Sequence, residues 1–184
     1  MLSKNNKFKD IIIIEPKIWS DSRGYFFESY KKSELEEFAG HEINFVQKNE
    51  SQSSYGVIRG LHYQVAPKAQ AKLVSVSYGR VLDVIVDIRK DSETFGQHIS
   101  IVLSAEIGKQ IYIPKGFAHG FVTLSKKSVF SYMVDNYYAK GSEQGIAHND
   151  KTLNIDWKIN PEQILLSEKD KKLPSLKEII RFRE

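Results

Sequence analysis

From Val57 onward the chain turns to short segments rich in Val, Ile, Tyr and Phe, separated by glycine and polar residues. Lys72 to Tyr78, Arg80 to Ile88, Gln97 to Leu103, Gln110 to Ile113, Gly120 to Leu124 and Ser128 to Asn136 all have strand length and strand composition. No long stretch of helical period separates them. An antiparallel sandwich or barrel is therefore favoured over an alternating α/β fold. Upstream, Ile11 to Ile14 ahead of Pro16 reads as a short buried strand. Ser33-Glu34-Leu35-Glu36 has capping-box spacing and predicts a short helix over Ser33 to Phe38. Proline near a first turn marks two further helix starts, Asn160-Pro161-Glu162-Gln163 and Pro174-Ser175-Leu176-Lys177-Glu178. The C-terminal tail is expected to be helical and to pack on the sheet. With 184 residues, 41% of them hydrophobic, and no repeat or low-complexity linker, one core and one domain over residues 1–184 are expected.

Charge and composition narrow the partners. No apolar run approaches the ~20 residues of a bilayer span, and four isoleucines are too few for a signal-peptide core, so no membrane role and a cytoplasmic location are expected. The absence of cysteine removes disulfides, thiolate nucleophiles and zinc–thiolate sites from consideration. A formal charge of +4 comes from 27 basic residues interspersed with 23 acidic ones, and the small cluster of Lys169, Lys171 and Lys172 is broken by Asp170. That pattern speaks against nucleic acid and for a small anionic ligand.

Two histidines stand out. His62 lies in Arg59-Gly60-Leu61-His62-Tyr63-Gln64 and His119 in Pro114-Lys115-Gly116-Phe117-Ala118-His119-Gly120-Phe121, with Lys72 between them and Tyr132 just beyond. This supplies a base, cations and a phenol, the inventory for proton transfer beside a carbonyl. Arg59, Lys72 and His119 around one cavity would stabilise charge growing on a carbonyl oxygen as its neighbouring carbon loses a proton. A neutral imidazole is a better base when a carboxylate orients its other nitrogen, and Asp170 or Asp83 can fill that role. Tyr132 is the candidate donor for the opposite face. The structural alternatives are a histidine bracing a turn, Arg59 and Lys72 paired with Asp83 or Asp87, and Tyr132 and Tyr138 as core aromatics.

Gly108-x5-Pro114-x-Gly116-x2-His119 resembles the second signature motif of cupin jelly rolls, and Gly56-x5-His62 resembles the start of the first. Metal-binding cupins place a second histidine two residues beyond His62 and a glutamate further on. Here Gln64 and Lys72 occupy that stretch, and a protonated lysine repels a divalent cation, so no catalytic metal is expected.

Longer runs carry a more specific likeness: Asp21 to Glu28, Gln47-Lys48-Asn49, Ser53 to Gln64, Asp83 to Arg89, Pro114 to Phe121, Asn149-Asp150 and Ser167-Glu168-Lys169-Asp170, together with Lys72, Tyr132 and Tyr138. Through them nearly the whole chain resembles the dTDP-4-dehydrorhamnose 3,5-epimerase family. The resemblance implies a mainly β, cupin-like double-stranded β-helix (jelly roll) with short peripheral helices, an N-terminal strand and a helical tail. It implies that His62, paired with Asp170, is the proton acceptor, that Tyr132 is the donor, and that Lys72 faces the C4 oxygen. Arg59, His119 and Lys169 would contact diphosphate or sugar, and Gln47 and Asn49 would hydrogen-bond the substrate. Arg23, Phe26 and Glu28 would reach a neighbouring subunit's nucleotide, with Tyr138 and Glu143 on its near side. A homodimer acting on a nucleotide-diphosphate sugar without a cofactor is implied.

The chain departs from the usual family pattern at Ala147-His148-Asn149-Asp150-Lys151, where tryptophan normally precedes Asn-Asp and proline follows, and at Trp157-Lys158, which lacks a proline. A GDP-linked 4-keto sugar and epimerisation at a single carbon are the neighbouring alternatives. A non-catalytic sugar-nucleotide-binding jelly roll and a metal-dependent cupin are the rival classes.

Overall fold

A computed structural model describes residues 1–181. In chain order the first strands are β1 (Leu2–Lys4), β2 (Ile12–Ile14), β3 (Trp19–Asp21) and β4 (Gly24–Phe26), followed by helix α1 (Lys32–Ala39). Next come β5 (Gln47–Ser54), β6 (Ile58–Gln64), β7 (Lys72–Tyr78), β8 (Arg80–Asp87) and β9 (His98–Ser104). The last are β10 (Gln110–Ile113), β11 (Phe117–Thr123), β12 (Lys127–Val134), β13 (Glu143–Gly145) and helix α2 (Leu176–Arg181). Two antiparallel sheets result, ordered β1-β2-β10-β7-β12-β5 and β13-β6-β11-β8-β9, with β3 and β4 as a separate hairpin. The repeated crossing between sheets makes this a cupin-like jelly roll.

Strand alternation builds three apolar layers. Val74 and Val76 of β7, Ile111 and Ile113 of β10 and Phe130 of β12 meet Val81 and Ile85 of β8, Leu103 of β9 and Phe117 and Phe121 of β11 between the sheets. The other face of the five-stranded sheet, through Ile58, Leu61, Leu82, Val84 and Val86, is covered by Ile146, Leu153, Trp157, Leu176 and Ile179. The tail thus packs on the sheet. On the outside of the six-stranded sheet, Ile12, Leu73 and Tyr112 receive Leu35 of α1 and Ile43. Burying each such side chain contributes roughly 1.5–3 kcal/mol. A polar residue in an inward register therefore calls for a specific reason.

Two expectations are corrected, and one strand was not foreseen. Ser33 does not cap α1: the helix starts at Lys32 after an extended Lys31 whose side chain makes no cap, while Lys31 Nζ takes Glu34 at 2.8 Å. The reciprocal box forms instead at α2, where Ser175 N donates to Glu178 Oε2 (2.6 Å) and Glu178 N to Ser175 Oγ (3.4 Å). Asn160-Pro161 starts only a 3-10 turn, Pro161–Gln163, with Asn160 accepting from Glu162 N. β5 escaped notice because Gln47-Lys48-Asn49-Glu50-Ser51-Gln52-Ser53-Ser54 is polar on both faces; as an edge strand it pairs with β12 alone.

One irregularity aims the site. β6 and β11 pair His62 with His119 but Arg59 with Phe121, so β6 holds one extra residue between those pairs. In an unbroken strand, residues three apart point to opposite faces; the bulge turns Arg59 and His62 to the same cavity. Glycines permit it by backbone-to-backbone contact. A Cβ on Gly60 (φ +122°) would lie 2.6 Å from Gly120 Cα, and one on Gly120 would lie 2.7 Å from Arg59 O. Gly120→Ala is expected to cost about 1–3 kcal/mol in urea unfolding; a cost below roughly 0.5 kcal/mol would show that this contact relaxes freely.

Candidate active site

The bulge opens on a cavity of about 520 Å³ between the sheets. His62 projects from β6 of one sheet and Tyr132 from β12 of the other, and both line it, together with Lys72, His119, Arg59 and Asn49. The expected base, phenol and cations are thus in one place. Phe121 and Phe130, stacked with centroids 4.1 Å apart, add an apolar wall, and the His119 ring lies on Phe130 at 5.8 Å.

Two carboxylates were open to His62 on sequence, and the structure separates them. His62 Nε2 lies 2.6 Å from Asp170 Oδ1, and His119 Nε2 lies 2.7 Å from Asp83 Oδ2. An ionised carboxylate only accepts, so Nε2 of His62 carries a proton and Nδ1 is the nitrogen whose lone pair is free in the neutral imidazole. Asp170 is 5% exposed although its neighbours are solvated lysines. Its 3-10 turn folds inward, with Asp170 N donating to Ser167 Oγ at 3.1 Å, while the preceding stretch is tied to β6 by Ile58 N to Leu165 O at 3.0 Å. Burial pushes the Asp170 carboxyl up, but the bond and charge of His62, with Ser167 and the Gly60 N–H, outweigh it and hold the group below its usual value.

Burial lowers the His119 pKa against the pull of Asp83. Asp83, fully buried in the inward register of Val81 and Ile85, is a partner sequence reasoning did not give to His119; its legible signal was a charge in an apolar register. Tyr132 is pushed up by burial and by the charge of Glu143, against Arg59 and its cross-strand partner Asn49, so it stays a phenol at neutral pH. Neither Arg59 nor Lys72 is ion-paired to Asp83 or Asp87 among the described residues. Arg59 donates to Ser53 Oγ (3.0 Å) and Gln52 O (3.3 Å), and Asp87 is held by Arg89 (2.7 Å).

At the rim, Glu143 joins two candidates: Tyr138 Oη donates to Glu143 Oε2 (2.8 Å) and Lys169 Nζ to Oε1 (2.6 Å). Gln47 stands just behind, donating to Asn49 Oδ1 (2.7 Å) and accepting from Tyr138 N (3.1 Å). Arg23, Phe26 and Glu28 are not brought to this cavity within the chain. Arg23 and Phe26 lie exposed on or beside the β3–β4 hairpin, where Arg23 pairs with Asp21 at 2.6 Å, and Glu28 is exposed beyond it. Among the described residues no group of three or more His, Cys, Asp and Glu side chains is placed to hold a metal ion. None of those residues forms a helix long and apolar enough to cross a membrane.

The family model described as dTDP-4-dehydrorhamnose 3,5-epimerase matches residues 5–178. The chain belongs to that family. A relative of that name from Shigella flexneri is 51% identical over 162 residues, 88% of each chain. The crystal structure of the Elizabethkingia anophelis dTDP-4-dehydrorhamnose 3,5-epimerase superposes with a TM-score of 0.92 at 53% identity, covering 97% of both chains. The dTDP-6-deoxy-D-glucose-3,5-epimerase of Legionella pneumophila, solved in complex with dTDP-4-keto-L-rhamnose, gives 0.91 at 46% identity over 96% of this chain and 93% of that one. As a dTDP-4-dehydrorhamnose 3,5-epimerase family member, the protein is an isomerase.

Its departures from the family pattern fall outside the cavity. Asp150 caps the turn after it and the start of α2, accepting from Leu153 N (2.9 Å) and Leu176 N (2.8 Å), and Trp157 donates to His148 O (2.8 Å) in the outer layer.

Lys72 is the costly member of the cavity. Its ammonium, donating to His62 O at 3.4 Å, is pushed by burial from 10.5 down to about 8, against the attraction of Asp83 and Glu143. Folding therefore works against the lysine charge below pH ~8, and that cost is relieved as pH rises from about 8 to 10.5, where the folded state alone sheds the proton. Lys72→Met is expected to stabilise the fold on the order of 3 kcal/mol at pH 7, an advantage that fades across that window. Urea titrations at pH 7 and pH 10 check it, and equal stability of the two proteins at pH 7 would contradict it.

Proposed function

We propose that the protein is a metal-independent 3,5-epimerase of a dTDP-linked 4-keto-6-deoxy sugar, converting the dTDP-4-dehydro-6-deoxy-glucose type to the dTDP-4-dehydro-rhamnose type. The observation that carries this reading is the opposition of His62 and Tyr132 across one cavity, beside the buried cation of Lys72. A C4 ketone acidifies the protons on both C3 and C5, so one base and one oxyanion site serve both centres. Nδ1 of His62 removes the proton, and Asp170 stabilises the imidazolium that forms. The Lys72 ammonium meets the enolate oxygen in a site where water is excluded and charge acts strongly. Tyr132 returns a proton from the opposite face, inverting the centre. No step calls for a cofactor. The ligand seen in the Legionella relative supports dTDP over GDP as carrier.

Position suggests the division of labour in binding. His119, buried beside Phe130, suits the sugar, whereas Arg59 and Lys169 at the mouth suit the diphosphate. Tyr138, with Glu143 holding its hydroxyl, would lie against the pyrimidine, while Gln47 and Asn49 hydrogen-bond the substrate. Arg23, Phe26 and Glu28 would complete the site of a second copy, making the enzyme a homodimer. Phe26 is 66% exposed, with Trp19 and Tyr25 exposed beside it, as a surface awaiting a partner would be. The whole chain would act as a single domain, in the cytoplasm, on a precursor of surface glycans.

In heavy water the product is expected to carry one deuterium at each of C3 and C5; a substrate recovered without deuterium at any carbon would refute the reading, and label at one carbon would favour the single-centre alternative. His62→Ala should lower kcat about 10²–10⁴-fold while dTDP binds within roughly threefold of wild type. The alkaline limb of kcat/KM should fall through pH ~8 as Lys72 of the free enzyme loses its proton. Mixing inactive His62→Ala with a defective Arg23→Ala protein tests the shared site. Exchange of subunits should regenerate one intact site per heterodimer, and no recovery of activity would argue against residues 23–28 crossing over.

A further inference from the structure

Gln64 stands two residues beyond His62, and although it lines the cavity its buried carboxamide is hydrogen-bonded to backbone. Nε2 donates to Lys68 O (2.6 Å) and to Tyr137 O (3.3 Å), and Oε1 accepts from Ala139 N (2.7 Å). Two carbonyls on one side and an N–H on the other leave a single sensible orientation of the amide, since flipping it would set like against like. The peptide between those contacts is held from the other sheet, where Gln47 Oε1 accepts from Tyr138 N at 3.1 Å. Three successive residues, Tyr137 to Ala139, are thus fastened by side chains of β6 and β5, although they belong to neither helix nor strand.

What this fastening holds is an exposed aromatic ring. Tyr138 is 53% exposed, and among the described residues its side chain hydrogen-bonds only to Glu143, which is itself the β13 partner of Gln64 in the ladder. An unfastened loop would let the ring sample many positions, and binding would then have to order it. We infer that Gln64 is a positioning residue for nucleotide recognition, clamping the Tyr137–Ala139 backbone so that the Tyr138 ring is already set at the cavity mouth. The inference rests on the proposed contact between Tyr138 and the base.

The test is a double-mutant cycle on dTDP affinity, measured by calorimetry, with steady-state kinetics alongside. Tyr138→Ala is expected to weaken dTDP about tenfold, in line with loss of one stacked ring. Gln64→Met should weaken it about three- to tenfold and raise KM more than it lowers kcat, because mobility is lost only on binding. In the Tyr138→Ala background the Gln64→Met change should add less than about twofold. A merely structural glutamine would instead lower affinity by the same factor in both backgrounds, and that result overturns the inference. Wild-type affinity in Gln64→Met beside a weakened Tyr138→Ala also overturns it while leaving the stacking reading intact. Wild-type affinity in Tyr138→Ala sinks the stacking reading and the inference together. If the methionine variant does not fold, Gln64→Glu, which keeps the acceptor for Ala139 N, carries the same cycle with the same expected loss of effect.

Discussion

The contact of two glycine backbones, Gly60 against Gly120, is the constraint on which the rest of the structure turns. Because no side chain separates the strands there, β6 can carry an extra residue opposite β11 and still keep its ladder on both sides. A regular strand would send either Arg59 or His62 to the outer layer, where Ile58 and Leu61 already pack. The bulge satisfies both demands at once, with apolar residues outward and two polar ones inward. Three other components of the site are placed relative to that strand: Asp170 by a segment bonded along it, Glu143 by the β13 ladder, Lys72 by its approach to the His62 carbonyl.

A second tension is electrostatic. Between the sheets, where Val81, Ile85, Phe121 and Phe130 set an apolar environment, the chain also encloses Lys72, Asp83 and His119. Charges in such a place are costly unless paired, and the pairing is only partial, since Lys72 has no carboxylate within ion-pair distance among the described residues and Asp83 Oδ1 has no hydrogen-bond partner. An interior optimised for stability would replace the lysine. Under the proposed function, an interior that receives a ketone oxygen about to become negative benefits from an unneutralised ammonium buried beside it. The weakness of the fold and the strength of the site are one arrangement.

Much of this was legible in the sequence for identifiable reasons. The strands from Lys72 onward announce themselves because one or both faces are apolar, and the tail announces its packing through Leu176 and Ile179. His62 and His119 could be grouped because runs of matching residues surround them, and Lys72 and Tyr132 joined them as single matching positions. β5 could not be seen, since a strand with a cavity on one side and solvent on the other has no hydrophobic period to reveal it. Ser33 misled because Ser-x-x-Glu occurs twice in the chain, at Ser33 and at Ser175, and packing lets only the second close the box. Gln64 drew attention for the histidine it replaces, and its actual bonds, to Lys68, Tyr137 and Ala139, depend on loop geometry that spacing does not encode.

The bond between His62 and Asp170 spans 108 residues of chain. Its two ends meet only when the segment after β13 folds back along β6. A barrel can therefore look finished while its histidine has nothing to orient it. The pair is complete only once that segment docks beside β6, so two finished sheets do not by themselves make a finished site.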